Sequence, residues 1–209
     1  MMGRDCGSIL DVGGSGGSIL NFIQHPNLCV LDIDKTALMS SGKRTNKIVA
    51  DGCRIPFKDD SFDVVVSIDS LEHVQVQRRN DYLCELRRVA KKKVLLHLPV
   101  KSDDGMYKGE EYDEIFNKKY KMITGIKDSN TIEHLKYGLP KIDDVQKTFP
   151  DSEIIGRQNC DVWCNYMVLE RLPYIRLFTG LFYLLFMKDK DNKPPYHACL
   201  MMWRKDHAK

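Results

Sequence analysis

The sequence predicts an α/β protein with a doubly wound, mainly parallel sheet, and three observations support this prediction. A short apolar strand, Ser8–Val12, runs into a loop with four glycines. A second apolar strand, Leu28–Leu31, is followed directly by Asp32. Strand and helix patterns then alternate over the first half of the chain, which is typical of parallel strands joined by crossover helices. Such sheets bind nucleotide-like ligands at the carboxyl ends of their strands.

Seven strands are predicted, and the last two are expected to form an antiparallel pair that closes the sheet. The predicted strands are Ser8–Val12, Leu28–Leu31, Lys47–Ala50, Asp63–Ser67, Lys93–Leu98, Ser152–Arg157 and His197–Arg204. Helical periodicity begins at Gly17, where Ile19, Leu20 and Ile23 share one face, and recurs in residues 80–90, 110–121 and 140–149.

The composition is that of an ordinary globular protein, and the length suits one domain. The chain has 209 residues and a formal net charge of +3. Basic residues alternate with acids, so only the basic cluster in residues 87–93 could bind nucleic acid. We interpret this cluster as the C-terminus of a helix, where positive charges suit the helix dipole. Seven scattered cysteines favour free thiols in a reducing, cytoplasmic compartment. Cys160 and Cys164 lack the second pair of a zinc site, so no metal is expected.

The glycine loop after the first strand favours one nucleotide-like cofactor over another. A dinucleotide-binding loop has the spacing G-x-G-x-x-G, and Gly14 and Gly16 could begin it, but Ile19 stands where the third glycine belongs. The acid Asp11 would repel a pyrophosphate and attract a cation, such as the ammonium and sulfonium groups of S-adenosylmethionine. The sequence therefore predicts S-adenosylmethionine, with S-adenosylhomocysteine as its product, and argues against NAD.

The first half of the chain resembles the class I S-adenosylmethionine-dependent methyltransferases, which have a Rossmann-like fold. Val49–Phe57 is similar to the third-strand segment of that family, and Asp60–Ser67 is similar to its fourth strand. Leu71–Val74 has the sequence L-E-H-V, found after this strand in many small-molecule methyltransferases. The likeness is continuous from Ile9 to Val100. Ser15 departs from the pattern, because the family usually has glycine there.

The resemblance also implies which residues hold the cofactor. Asp11 would face the methionine end, Asp32 would bind the ribose hydroxyls, and Asp51 would accept a hydrogen bond from the adenine amino group. The alternative for Asp32 and Asp51 is that each is a turn or helix-cap carboxylate. The full set of implied cofactor residues is Asp11, Gly13, Gly14, Ser15, Gly17, Asp32, Ile33, Asp51, Gly52, Ser67 and Ile68.

Three histidines are candidates for the general base of methyl transfer, an in-line displacement in which the protein positions the acceptor and removes its proton where needed. His73 follows the fourth strand at the ligand-binding edge, and imidazole suits proton transfer near neutral pH. The alternative is that Glu72 and His73 cap the next helix or orient a loop. His134, in a loop that ends in Gly and Pro, is the second candidate. His97 lies inside the fifth strand and is expected to be buried.

The sequence changes character after the cofactor-binding half, residues 1–100 of the single predicted domain. Residues 101–138 are polar and rich in Tyr and Lys, and they are either a lid over the substrate or a solvated loop. In the C-terminal half, 139–209, the segment 172–187 is apolar and aromatic but too short for a convincing transmembrane helix. It packs on the sheet or on a second subunit of a homodimer, lines an apolar substrate pocket, or rests in a membrane interface.

The favoured function is methyl transfer from S-adenosylmethionine to a small molecule or a glycan. Residues 132–140 and 159–163 are loosely similar to methyltransferases of cell-surface polysaccharide pathways, which suggests a sugar or lipid-linked sugar acceptor. The alternatives are a quinone or lipid C-methyltransferase and a non-catalytic S-adenosylmethionine-binding protein. An RNA methyltransferase is disfavoured, because Ile68–Leu71 stands where an N-P-P-Y type motif would be. Because few residues precede the first strand, we expect either that the C-terminal half covers the cofactor or that the chain begins upstream of Met1.

Overall fold

The computed structural model describes residues 7–14, 19, 23–40, 45–171 and 179–205, and its strands form one sheet. The described strands are β1 Ile9–Val12, β2 Leu28–Asp32, β3 Asn46–Val49, β4 Phe62–Ile68, β5 Ala90–Pro99, β6 Glu153–Asn159 and β7 Tyr196–Arg204. Their order in the sheet is β3-β2-β1-β4-β5-β7-β6. This confirms the predicted α/β class, with a mainly parallel sheet and an antiparallel C-terminal pair.

The strand order reverses beside β1, which places a topological switch point at its carboxyl end. Strand β1 pairs in parallel with β2 on one side and with β4 on the other. Strand β2 continues to β3 and β4 continues to β5, again in parallel. Every residue of β1 and β2 is buried, as expected for strands that are covered on both faces. Ligands of such sheets bind at this switch point.

Helices connect the strands at most of the positions that periodicity predicts. The described helices are α1 Lys35–Ser40, α2 Arg79–Val89, α3 Gly109–Thr124, α4 Ser129–Tyr137, α5 Ile142–Thr148, α6 Cys160–Glu170 and α7 Thr179–Phe182. A π-helical turn, Tyr183–Met187, follows α7, and two 3-10 turns, Leu71–His73 and Val76–Arg78, precede α2. The segment 101–138 therefore contains two helices, and its role as a lid stays a prediction.

Contacts divide the chain into two compact units. The first unit comprises residues 1–98, 144–153 and 201–209, and the second comprises 99–143 and 154–200. The predicted cofactor-binding half falls almost wholly within the first unit. That all 209 residues act as one domain stays a prediction.

Apolar side chains of β1, β2, β4 and α1 form a core cluster of the first unit, together with Ile19. The cluster consists of Ile9, Ile19, Leu28, Val30, Leu38, Val64 and Val66. The N–H of Ile23 donates to the carbonyl of Ile19 at 3.0 Å, and Ile23 packs against the cluster. Two of the three residues predicted to share a helix face therefore lie together, and Leu20 is outside the described residues.

The basic end of α2 has a larger role than favourable contact with the helix dipole. Arg88 donates to the carbonyls of Phe57 and Ile55 at 2.7 and 3.0 Å, and it pairs with Glu85 at 2.6 Å. Arg87 donates to the carbonyl of Thr148 at 2.9 Å. These contacts fasten α2 to the loop after β3 and to α5. The interpretation of this basic cluster as a helix C-terminus is therefore incomplete, because Arg87 and Arg88 also hold neighbouring segments together.

Candidate cofactor site and catalytic residues

Three carboxylates lie at or just beyond the carboxyl ends of neighbouring strands. Asp11 is in β1, Asp32 ends β2, and Asp51 follows β3 by two residues. Because β1, β2 and β3 are parallel neighbours, the three acids lie along one edge of the sheet. The side chain of Ile33 is 70% exposed beside Asp32. This edge offers carboxylates for hydroxyl and amino groups and an apolar surface for a flat ring.

Asp11 lies beneath the glycine loop. Its side chain is completely buried, and a Cβ atom on Gly14 would lie only 2.4 Å from its Oδ2 atom. Glycine is therefore required where the loop crosses the acid. The predicted contact of Asp11 with the methionine end of a cofactor stays a prediction, and Ser15 and Gly17 lie outside the described residues.

Gly13 begins the loop in a conformation that side chains rarely adopt. Its φ angle is +80°, and a Cβ atom there would lie 2.1 Å from the Ser70 hydroxyl oxygen. The Gly13 N–H donates to the carbonyl of Leu31 at 2.8 Å, and the Ser70 hydroxyl donates to the carbonyl of Ile68 at 2.9 Å. The loop is thus attached to β2 and packed against the end of β4, which gives it a defined position.

Asp32 organises the turn after β2. Its Oδ1 atom accepts a hydrogen bond from the N–H of Asp34 at 2.8 Å, while Asp34 itself caps α1 by accepting from the N–H of Ala37 at 3.0 Å. Asp32 is therefore a turn carboxylate, as the alternative predicted, but it is not the helix cap. A carboxylate can accept about four hydrogen bonds. The turn is thus compatible with the predicted binding of ribose hydroxyls.

Asp51 is paired with Arg78, a residue that the sequence analysis did not single out. Its Oδ1 atom accepts from the N–H of Cys53 at 2.9 Å, and its Oδ2 atom accepts from Arg78 Nη2 at 2.7 Å. Burial raises the pKa of Asp51, but the hydrogen bonds from Cys53 and Arg78 outweigh it and hold the pKa below its ordinary value. The carboxylate is therefore ionised at neutral pH and acts only as an acceptor.

Tyr82 on α2 contacts the carboxyl ends of β1 and β4, next to the candidate site. Its hydroxyl lies 2.8 Å from the Ser67 hydroxyl and donates to the carbonyl of Val12 at 3.3 Å. Burial raises the pKa of Tyr82 well above its ordinary value, so the phenol stays neutral. The sequence contained a signal for this residue, because Tyr82, Leu86 and Val89 share one helix face and are all buried.

Gly52 approaches the Tyr82 ring so closely that a larger residue would displace it. A Cβ atom at position 52 would lie 2.4 Å from Tyr82 Cε2. We expect Gly52→Ala to lower the free energy of unfolding by about 1–3 kcal/mol, as other overpacked sites do. Chemical denaturation measures this change. The matched control is Gly180→Ala, where no atom lies within 4 Å of the added Cβ. A loss at position 52 no larger than at position 180 would contradict the prediction.

His73 and His97 both lie in the first unit, near the carboxyl ends of β4 and β5. His73 ends the 3-10 turn after β4, where its N–H donates to the carbonyl of Ser70 at 3.2 Å. The Nδ1 atom of His97 lies 2.8 Å from Asp69 Oδ1, and the Asp69 N–H donates to the His97 carbonyl at 2.9 Å. His97 is thus half-buried, whereas the sequence analysis expected it to be buried.

The Asp69–His97 pair has the geometry of an oriented imidazole. Asp69 has a φ angle of +47°, an uncommon conformation for a residue other than glycine. When Nδ1 donates to the carboxylate, the Nε2 atom of the ring carries the lone pair and can accept a proton. This orientation strengthens His97 as a general-base candidate in the same unit as the three acids.

His134 lies in the second unit, on helix α4 rather than in the predicted loop. Asp128 begins this helix by accepting from the N–H of Thr131 at 3.2 Å, and Gly138, with a φ angle of +68°, ends it. Gly138, which suggested a loop in the sequence, is thus the end of a helix. His134 is buried, and its Nδ1 atom lies 3.0 Å from Asp113 Oδ2.

Asp113 connects His134 to His197. The second carboxylate oxygen of Asp113 lies 3.0 Å from His197 Nε2, and the Trp163 ring stacks on His197 with centroids 3.6 Å apart. Burial raises the pKa of Asp113, but the hydrogen bonds from His134 and His197 hold it below its ordinary value. This cluster joins α3, α4 and β7, which is a structural role. A catalytic role for His134 stays a prediction.

The fold and the site together define a class of protein. A doubly wound sheet with a glycine turn at its switch point, and with acids at the ends of β1, β2 and β3, is a scaffold for a nucleoside-containing cofactor.

Comparison with known proteins narrows this class. Residues 10–98 match the family model of the methyltransferase domain. An uncharacterized protein of Methanocaldococcus jannaschii is 35% identical over 112 residues, which cover 53% of this chain and 48% of that protein. A sterol 4-C-methyltransferase of Caenorhabditis elegans is 27% identical over 140 residues, which cover 65% of this chain and 36% of that protein.

Solved structures agree on the fold. A SAM-dependent methyltransferase of Archaeoglobus fulgidus superimposes with a TM-score of 0.54 at 16% identity, covering 97% of this chain and 87% of that structure. Residues 10–98, somewhat less than half of the chain, are thus similar to a methyltransferase domain, and the fold is that of a solved S-adenosylmethionine-dependent methyltransferase. The chain spans about half the length, or less, of the curated relatives it matches.

Proposed function

We propose that this protein transfers a methyl group from S-adenosylmethionine to a small-molecule acceptor. The observation that carries the proposal is the row of acids at the ends of β1, β2 and β3, beside the glycine turn at the switch point. The family match over residues 10–98 supports the same activity. The bound cofactor would supply an electrophilic methyl group.

The described residues fit the parts of this cofactor. Asp32 would accept hydrogen bonds from the ribose hydroxyls, and the exposed side chain of Ile33 would cover one face of the adenine ring. Asp51 would accept from the adenine amino group, and Arg78, 2.7 Å from it, would hold the carboxylate in position. Gly13 and Gly14 would let the backbone approach the methionine part of the cofactor.

Calorimetric titration with S-adenosylmethionine, S-adenosylhomocysteine and NAD tests the cofactor. We expect both adenosyl ligands to bind and NAD to show no binding. Binding of NAD alone would overturn the proposal. A second assay offers a panel of sugars, quinones, sterols and amines as methyl acceptors. If the adenosyl ligands bind but no acceptor is methylated, the result would favour a non-catalytic binding protein.

Two imidazoles in the first unit could take the acceptor proton. His73 ends the 3-10 turn that follows β4, while His97 is oriented by Asp69. We expect His73→Ala to leave S-adenosylmethionine affinity within about threefold and to lower the turnover by about 100-fold, which is typical of a lost general base. His97→Ala is the matched comparison. If it lowers the turnover and His73→Ala does not, the base is His97.

A lipid acceptor is the second candidate. The sterol 4-C-methyltransferase relative acts on a sterol by name, and it shares 27% identity over 140 residues with this chain. The exposed apolar segment 181–186 would suit an acceptor that is carried in a membrane. Preference for sterols or quinones over sugars and amines in the panel would support this candidate.

A further inference from the structure

The segment after α7 exposes an unusual amount of apolar surface. The exposed side chains within six residues are Leu181, Phe182, Leu184, Leu185 and Phe186, and three of the five are more than 60% exposed. The five side chains are 40–65% exposed, which disfavours two interpretations for this part of the segment, packing on the sheet and lining an internal pocket. Contiguous apolar patches of this kind mark interaction surfaces.

A second apolar group lies at the end of α3. Met122 is 87% exposed and Ile126 is 63% exposed, with the half-exposed Ile123 between them. Residues beside or within each group contact the C-terminal part of helix α6 or the residue after it. Arg171, the residue after α6, lies 6.0 Å from the Tyr120 ring, and Tyr166 on α6 lies 6.0 Å from the Tyr183 ring. We call residues 122–126 and 181–186 together the apolar patch.

Exposed lysines surround the apolar patch. They are Lys118, Lys119, Lys121, Lys127, Lys188, Lys190 and Lys193. The neighbouring acids compensate only part of this charge. Glu114 pairs with Lys118 at 3.6 Å, the buried Asp128 pairs with Arg171 at 3.4 Å, and Asp191 accepts from the Tyr183 hydroxyl at 2.7 Å. Asp189 is exposed between Lys188 and Lys190, so the lysines still outnumber the acids. The patch is therefore apolar at its centre and basic at its rim.

We infer that the apolar patch docks on a bilayer surface that contains anionic lipids. Apolar side chains of interfacial segments enter the boundary between headgroups and acyl chains, and each lysine near an anionic surface contributes about 1 kcal/mol. A second copy of this chain fits less well, because a two-fold contact through the patch would bring two lysine rims together. No helix among the described residues is long and apolar enough to span a membrane.

Flotation with lipid vesicles tests the inference on the whole chain. Vesicles of phosphatidylcholine alone are compared with vesicles that contain about one third phosphatidylglycerol. We expect at least about tenfold stronger partitioning to the anionic vesicles, and weaker binding when the salt concentration rises. Equal or absent binding to the two kinds of vesicle would overturn the inference. No cofactor is present, so the result is independent of the proposed methyl transfer.

Two substitutions localise the contact. We expect the double variant Leu184→Asp with Phe186→Asp to partition to the vesicles at least about tenfold less, because two side chains that would enter the bilayer become charged. Both side chains are exposed, so the variant should keep its thermal unfolding curve. The matched control is Met39→Asp, a half-exposed residue of the first unit, which should bind vesicles like the unchanged chain. A concentration-dependent dimer that the double variant abolishes, without vesicle binding, would overturn the inference in favour of a second copy.

Discussion

Replacing Asp32 with alanine is expected to weaken the binding of S-adenosylmethionine by about 100-fold or more. Asp32 ends β2 at the edge where the ribose would lie, and a hydrogen bond to a charged group contributes about 1.5–3 kcal/mol. The loss of hydrogen bonds to two ribose hydroxyls would therefore weaken binding by about 3–6 kcal/mol, and each 1.4 kcal/mol corresponds to about tenfold in affinity. Calorimetric titration of the variant measures the change.

The neighbouring Asp34 provides the control for this prediction. Asp34→Ala removes the cap of α1, in which Asp34 accepts from the N–H of Ala37 at 3.0 Å, but it removes no predicted ribose ligand. We expect its affinity to stay within about threefold, because losing a cap costs only about 1 kcal/mol of stability. Asp32→Asn can keep the turn bond to Asp34 and should still bind poorly. Unchanged affinity in a folded Asp32→Ala variant would refute the assignment of the ribose site.

Replacing Asp113 with alanine is expected to lower the free energy of unfolding by about 3–5 kcal/mol, because it removes a buried carboxylate that two histidine ring nitrogens contact, and a buried polar group that loses its hydrogen-bond partner costs about 1–3 kcal/mol. The Asp113 side chain is completely buried, and its two oxygens each lie 3.0 Å from a histidine nitrogen, on His134 and His197. The matched control is Glu114→Ala, on the next residue of α3, whose exposed carboxylate pairs with Lys118. That variant should change the stability by no more than about 0.5 kcal/mol.

The pH dependence of stability provides a second measurement at Asp113. The pKa of Asp113 in the folded protein lies below its ordinary value of 3.8. An acid with a lowered pKa binds fewer protons in the folded state than in the unfolded state, so stability rises with pH through this window. The contribution of Asp113 is therefore complete above about pH 4 and is lost as the pH falls through the folded-state pKa. Denaturation curves that fall equally with acid in the unchanged protein and in Asp113→Ala would contradict this account.

The sequence by itself determined the sheet and the edge that carries the candidate cofactor residues. Buried parallel strands are continuous apolar runs, and the residue that ends each run lies at a known edge of the sheet. For this reason the positions of Asp11, Asp32 and Asp51 could be predicted from local pattern alone. The strand order was accessible from the same information, because right-handed crossover connections leave few topologies.

Only the tertiary structure decided which side chains meet. The partners Asp51 and Arg78 lie 27 residues apart, and Asp113 and His197 lie 84 apart. No local period links such residues, because their contact depends on how a helix packs on the sheet or on another helix. The helix at His134 was missed for a related reason. Its polar sequence is typical of a loop. The Asp128 cap and the packing of α4 on α3 stabilise a helix there, because most helical stability in proteins comes from tertiary contacts.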